Sequence, residues 1–415
     1  MPNEFCTVAG VTDAMPPAAV QNSTAPTSPG TTPAEPVPPT PTSSTEMTPA
    51  PREYPQALRG PKHRWWRPLI GLGVIIAGLA VVTGALLLFV LAFVIAESMG
   101  AELPDPASDA FLVSPTGMLV TNLGLALGIP LALAATWAQA GRPGLVSSVL
   151  GRVRWRLLLG GLGLALLLLV PLSVGADLLL TQLGFPAGGE DAGAGSSTDE
   201  TGPWPLTPAS GWIALSIVIL LTTPLQSAGE EYFFRGWLSQ WIGSWLRWRW
   251  LAVVVPAVVT ALLFALAHGA QSPWLFADRL VFGLLASLLV WRTGGLEIAV
   301  AMHAANNLLA FGLAIAYDRL EESLLITEVP PLDGAVSLAI TLLTGAVLLW
   351  WARRHDPDLV VTDPAPPEPM LPRPGALAYA ASGPVVPGPV ASDLVAPHQT
   401  APGTAEAGPA NGETT

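Results

Sequence analysis

An all-α polytopic membrane protein is the fold class predicted for this chain, and three observations predict it. Hydrophobic residues make up 51% of the 415 positions while charged residues make up only 12%, a balance that soluble domains of this length do not have. Mean hydropathy is +0.51. The apolar residues are also gathered into runs long enough to cross a hydrocarbon core of roughly 30 Å, which takes about 20 helical residues. The 43 prolines would oppose long helices, but 14 lie in residues 1–62 and 13 in residues 355–415. The sequence therefore predicts a membrane block between two arms, residues 1–63 (rich in Pro, Ser and Thr) and 354–415 (rich in Pro and Ala). Both are too poor in large apolar residues to fold and are expected to be disordered.

Eight spans are expected in order. They cover about Leu69–Ala96, Leu112–Ala138, Leu157–Leu180, Trp212–Ser227 with an extension, Leu251–His268, Trp274–Val290, Ile298–Ala316 and Ala335–Trp351. The first three and their loops occupy residues 64–208. They carry no reaction chemistry and are read as shaping substrate entry, with Gly160-Gly161-Leu162-Gly163 permitting close helix packing. Residues 209–317 hold the polar motifs, and residues 318–353 supply a last loop and span. The Trp-rich stretch Gly236–Trp250 reads as a helix dipping into the membrane interface.

Orientation follows from basic residues, which are retained on the cytoplasmic side. With the N-terminus inside, the inner loops carry 14 of the 18 Lys and Arg residues, and the outer loops carry Arg279 and Arg319. An even number of spans then places both termini in the cytoplasm, and the Ala- and Pro-rich composition points to a bacterial plasma membrane. The net charge of −12 is divided between outer loops and arms, so no basic face suggests nucleic acid. Cys6 is the single cysteine, which excludes an intramolecular disulfide and a cysteine metal site. No early basic and apolar run marks a secretory signal before the first span.

Ionisable side chains at a helix centre in the membrane cost about 2.5–3.5 kcal/mol each on insertion scales, so each calls for a partner or a function. Three groups stand out: Glu230-Glu231-Tyr232-Phe233-Phe234-Arg235, Phe264-Ala265-Leu266-Ala267-His268 and His303-Ala304-Ala305-Asn306-Asn307. Glu231 and Arg235 are four apart with the acid first, the favourable order for an ion pair on one helix face. Glu230 is left without that cation. A carboxylate so placed in a low-dielectric site titrates nearer neutrality and is a candidate general base, although one buried structural ion-pair cluster could absorb all three residues. Phe264 walls the site beside His268. His303 and Asn307 share a face and can direct two donors at a developing oxyanion, while Asn306 faces elsewhere as interhelical glue. For each histidine alone, an interhelical hydrogen bond is the preferred reading; together with the other groups the residues point to a site. Asp177 and Glu297 lie near span ends, where solvation accounts for them.

Glu-Glu-x-x-x-Arg, Phe-x-x-x-His and His-x-x-x-Asn, in this order and followed at the first motif by Phe234-Arg235-Gly236, resemble the motifs of the CPBP family. These are the CAAX proteases and bacteriocin-processing enzymes, also called the Abi family, and they include the eukaryotic type II prenyl-protein endopeptidase. The resemblance spans about residues 209–317. It implies an intramembrane endopeptidase acting on membrane-associated proteins or peptides. Glu230 and His268 would activate water, His303 and Asn307 would form the oxyanion site, and Glu231, Arg235 and Phe264 would support it. Glu230, His268 and His303 also form a His2Glu set that zinc could use, but no His-Glu-x-x-His is present, and the reading leans to a metal-free, glutamate-dependent reaction. Two other classes stay open: a non-proteolytic membrane scaffold or bacteriocin-immunity-type protein, and a proton-coupled transporter, for which no inverted repeat is visible.

One conflict is built into this reading. Along straight helices Glu230 lies ~27 Å from Trp212 and His268 ~26 Å from Leu251, at opposite depths, so a distortion is expected, with Pro224 and Pro256 as candidate kinks.

Overall fold

The computed structural model describes residues 52–100, 105–106, 108–185, 208–269, 271–355 and 360–361. Most of the two predicted arms lies outside these residues. Among the described residues, eight helices are long and apolar enough to cross a membrane. We label them α1 (Arg67–Ser98), α2 (Pro115–Ala138), α3 (Trp155–Gln182), α4 (Trp212–Trp245), α5 (Arg249–Leu266), α6 (Pro273–Thr293), α7 (Glu297–Ala316) and α8 (Pro331–His355). The chain is thus a multi-pass helical membrane protein, and all eight spans fall where hydropathy predicts them.

Local chemistry sets the ends of the helices that carry the site. Ser114 caps α2 by accepting the Gly117 N–H at 3.1 Å, with Pro115 in the first helical position. Ser272 and Pro273 repeat the arrangement at α6, which stops at Gly294, whose φ of 65° is the left-handed conformation glycine adopts readily. Only Gly294, Gly295 and Leu296 then separate α6 from α7.

Helix α7 is the hub, packing against α3, α4 and α6, while α2 lies along α4, α5 along α6, and α8 against both α3 and α6. More than half of the central stretch of α7 is buried, whereas α1 leans mainly on the second half of α2 and leaves Val81, Leu87 and Leu88 exposed for lipid. Small residues allow the close approaches. A Cβ on Gly160 would meet the Trp351 ring, and one on Gly161 would meet Ile298 and Ala301, so the predicted packing role of these glycines is realised between α3, α7 and α8.

Three expectations need correction. The expected extension of α4 beyond Ser227 runs through a π-helical turn, Tyr232–Leu238, and an α-helical end, Ser239–Trp245. The stretch Gly236–Trp245 is therefore part of a span rather than a separate interfacial helix, because Trp237, Ser239, Gln240 and Ser244 are buried. Beyond it Trp248 and Trp250 are exposed, as interfacial tryptophans are. That π turn is one distortion of α4, and Pro224 and Pro256, the candidate kinks, lie inside α4 and α5. Glu297 is not solvated at a span end. It is buried in a bidentate pair with Arg154, at 3.0 Å from Nε and 2.7 Å from NH2, which ties the start of α7 to the start of α3. Finally, the end of the predicted N-terminal arm is packed. Arg52–Glu53 (β1) pairs antiparallel with Val360–Val361 (β2), and Tyr54 is fully buried with its hydroxyl donating to the Val146 carbonyl. Burial raises the Tyr54 pKa well above the phenolic value, so it stays a neutral donor. Asp177 is exposed, as expected of a span end.

Candidate active site

All three motifs meet. Glu230, Phe264, His268, His303 and Asn307 line one cavity of about 550 Å³ enclosed by α2, α4, α5, α6 and α7, with Asn306 also on its wall rather than glued between helices. The depth conflict disappears because α4 extends to Trp245, which makes Glu230 a mid-span residue, and because His268 lies two residues beyond the end of α5.

Glycine makes the central contact possible. A Cβ on Gly229 would collide with the Leu125 carbonyl, and one on Gly128 with the Gly229 carbonyl, so α2 and α4 touch backbone to backbone immediately before Glu230. Asn122 reinforces this contact by donating to Thr222 Oγ1 at 2.8 Å and Thr223 Oγ1 at 3.2 Å.

The two adjacent glutamates have different surroundings. Glu231 is 0% exposed and Arg235 is 1% exposed, and Arg235 NH1 donates to Glu231 Oε1 at 2.9 Å. The guanidinium also lies over the Phe264 ring, 4.3 Å from its centroid, so the buried cation faces a carboxylate and a π face. Glu231 Oε1 additionally sits 2.9 Å from His303 Nδ1. The predicted Glu231–Arg235 support is thus present, and it extends to His303, a link the spacing within α4 could not reveal. With the proton on Nδ1 facing Glu231, the His303 ring is fixed and its Nε2 points to Glu230 Oε2, 3.7 Å away and too far for a direct hydrogen bond. Phe264 and Phe282 wall the imidazole, with ring centroids 5.8 and 5.1 Å from it.

Glu230 is held without a cation. Its Oε1 accepts from Gln226 Nε2 at 2.6 Å, and Gln226 Oε1 accepts from Asn307 Nδ2 at 3.1 Å. Sequence reasoning passed over Gln226, although it lies four residues before Glu230 in an apolar span, and the same periodicity that paired Glu231 with Arg235 would have placed it on the Glu230 face. Asn307 Nδ2 also reaches Ser227 Oγ at 3.5 Å, a longer bond than the one to Gln226.

His268 sits at the exposed rim. Its Nδ1 lies 2.8 Å from the Phe264 carbonyl, which fixes the tautomer with the proton on Nδ1 and leaves Nε2 as an acceptor. Partial burial beside Phe264 lowers its pKa below the ordinary imidazole value; the Arg279 charge adds to this and Glu230 opposes it. Arg279 holds Gln271 Oε1 at 2.6 Å and is the basic side chain of the cavity lining.

Among the described residues, no three His, Cys, Asp or Glu side chains are disposed as a ligand set for a metal ion. His303 Nδ1 and Glu230 Oε1 are engaged by Glu231 and Gln226, which leaves His303 Nε2, Glu230 Oε2 and His268 Nε2 as the remaining donor atoms of the predicted set.

Comparison with known proteins agrees with the motifs. Residues 210–309 match the family model described as Rce1-like, the type II CAAX prenyl endopeptidases, which is the family grouping that the three motifs resemble. The chain is also similar to the uncharacterized protein YyaK of Bacillus subtilis (strain 168), with 28% identity over 155 residues that cover 35% of this chain and 51% of that protein. The chain thus spans about half the length of the curated relative it matches. No solved structure matches.

Proposed function

We propose that this protein is an intramembrane endopeptidase that hydrolyses peptide bonds of membrane-associated proteins or peptides without a metal ion. The observation that carries the reading is the convergence of Glu230, His268, His303 and Asn307 on one cavity within an apolar bundle. A water held between the Glu230 carboxylate and His268 Nε2 attacks the scissile carbonyl as Glu230 takes its proton. His303 Nε2–H and the Asn307 N–H facing Ser227 receive the oxyanion, and the Glu231 carboxylate, itself held by Arg235, orients the His303 ring through Nδ1. Collapse of the tetrahedral intermediate breaks the C–N bond, and the proton held by Glu230 passes to the leaving amine. The match to a family described as prenyl endopeptidases supports the class of reaction, and the cation-free setting of Glu230 supports its role as base.

Against any peptide the membrane-bound protein cuts, Glu230→Gln is expected to abolish turnover while leaving thermal unfolding near that of the parent. Asn307→Ala is expected to lower the rate about 10²–10³-fold, the usual cost of an oxyanion donor. Full activity of protein shown by elemental analysis to be metal-free is expected. Activity lost on chelation and restored by zinc alone would contradict the metal-free reaction.

A further inference from the structure

The cavity lies mainly in one half of the bundle, with Glu230 and His303 at its inner end. Its walls come from the first half of α2 (Met118, Asn122), the first half of α6 (Leu275, Arg279), the second half of α7 (Asn307, Phe311) and the residues just past α5 (His268). The segment Ser323–Ile326, between α7 and α8, completes its lining. All of these lie toward the end of the bundle where α2, α6 and α8 begin and α5 and α7 finish.

Basic residues are concentrated at the opposite end. Arg52, Arg59, Lys62, Arg64 and Arg67 precede or open α1; Arg142, Arg152, Arg154 and Arg156 lie between α2 and α3 or at the start of α3. Arg247 and Arg249 join α4 to α5, Arg292 ends α6, and Arg353 and Arg354 end α8. That makes 14 basic side chains at the end away from the cavity, against Arg279 and Arg319 on the cavity side. Acidic residues have the reverse bias, with Glu97, Asp105, Asp109, Asp318, Glu321, Glu322 and Glu328 at the cavity end. Lys and Arg near span ends favour retention on the cytoplasmic side, and a bias in short loops of this kind sets orientation.

We infer that the catalytic cavity opens to the non-cytoplasmic face of the membrane, so that its substrates are exported or membrane-anchored polypeptide segments presented from outside. Cytoplasmic proteins anchored by a C-terminal lipid would meet the arginine-rich end, from which Arg235, Trp237 and Gln240, all buried, separate them from Glu230. The substrate half of this inference rests on the hydrolytic reading, but the direction of opening does not.

The test is cysteine accessibility in the full chain. Cys6 is the sole native cysteine, so Cys6→Ser gives a clean background for one introduced thiol at a time. Glu328→Cys and Leu325→Cys report on the cavity end, and Arg247→Cys on the opposite end; all three parent side chains are exposed. In spheroplasts treated with a membrane-impermeant maleimide, the first two are expected to label before permeabilisation and Arg247→Cys only after it. Labelling of Arg247→Cys in sealed spheroplasts, or no labelling of Glu328→Cys there, overturns the inference. Adding Glu230→Gln is expected to leave the pattern unchanged, so a failed hydrolytic reading and a failed orientation give different results.

Discussion

Single residues divide the labour between two neighbouring carboxylates. Glu231 is committed to Arg235 and His303, and Glu230 shares its hydrogen bonds with an uncharged amide. Removing the Glu231 charge by Glu231→Gln strands a fully buried guanidinium and is expected to cost about 3–5 kcal/mol, read as a lowered unfolding temperature in detergent. The matching change at Glu230 removes no ion pair to a cation and is expected to spare stability. His268 supplies a pH signature. Its pKa is depressed, so its neutral form persists as pH falls below the usual imidazole range, and activity that needs a free Nε2 is expected to hold there too. Arg279 contributes to the depression, so Arg279→Gln is expected to shift the acid limb of the rate profile toward higher pH. An unmoved limb would separate His268 from the acid limb.

At the scale of elements, the site depends on how closely α2 and α4 approach. The Gly128 and Gly229 contacts leave no room for a side chain, so Gly229→Leu is expected to wedge the helices apart, cost about 1–3 kcal/mol and displace Glu230 from the cavity wall. Thermal unfolding and turnover should fall together, in contrast to Glu230→Gln, where only turnover falls. The π turn Tyr232–Leu238 is the other element-level device, since it re-aims the helix one residue after Glu231 and brings Arg235 under Phe264. Neither feature was legible in the sequence. Hydropathy ends a span where polar residues begin, and Ser239, Gln240 and Ser244 look like an interface until their partners are known. Gln240 donates to the Leu145 carbonyl, from a loop 95 residues earlier, and no periodicity within α4 contains that information. The same blindness hid the Arg154–Glu297 pair, whose members are 143 residues apart. In contrast, the eight spans and the i, i+4 pairing of Glu231 with Arg235 were readable, because both depend on residues close in sequence.

The whole molecule places a small polar constellation in an apolar bundle whose scarcity of charge makes each ionisable residue informative. Glu230, His268, His303 and Asn307 come from three separate chain segments, and their meeting in one cavity is what a hydrolytic site requires and a scattered set of interhelical bonds does not. The bundle also explains which substrates are geometrically reasonable, since a cavity of about 550 Å³ admits a stretch of extended chain rather than a folded domain. The most direct test is a comparison of peptide N-termini in membranes from cells making equal amounts of wild-type and Glu230→Gln protein. New termini present with the wild type and absent with the variant are predicted. Identical sets of termini, with both proteins folded and inserted, would contradict the assignment of this protein as a peptide hydrolase centred on Glu230.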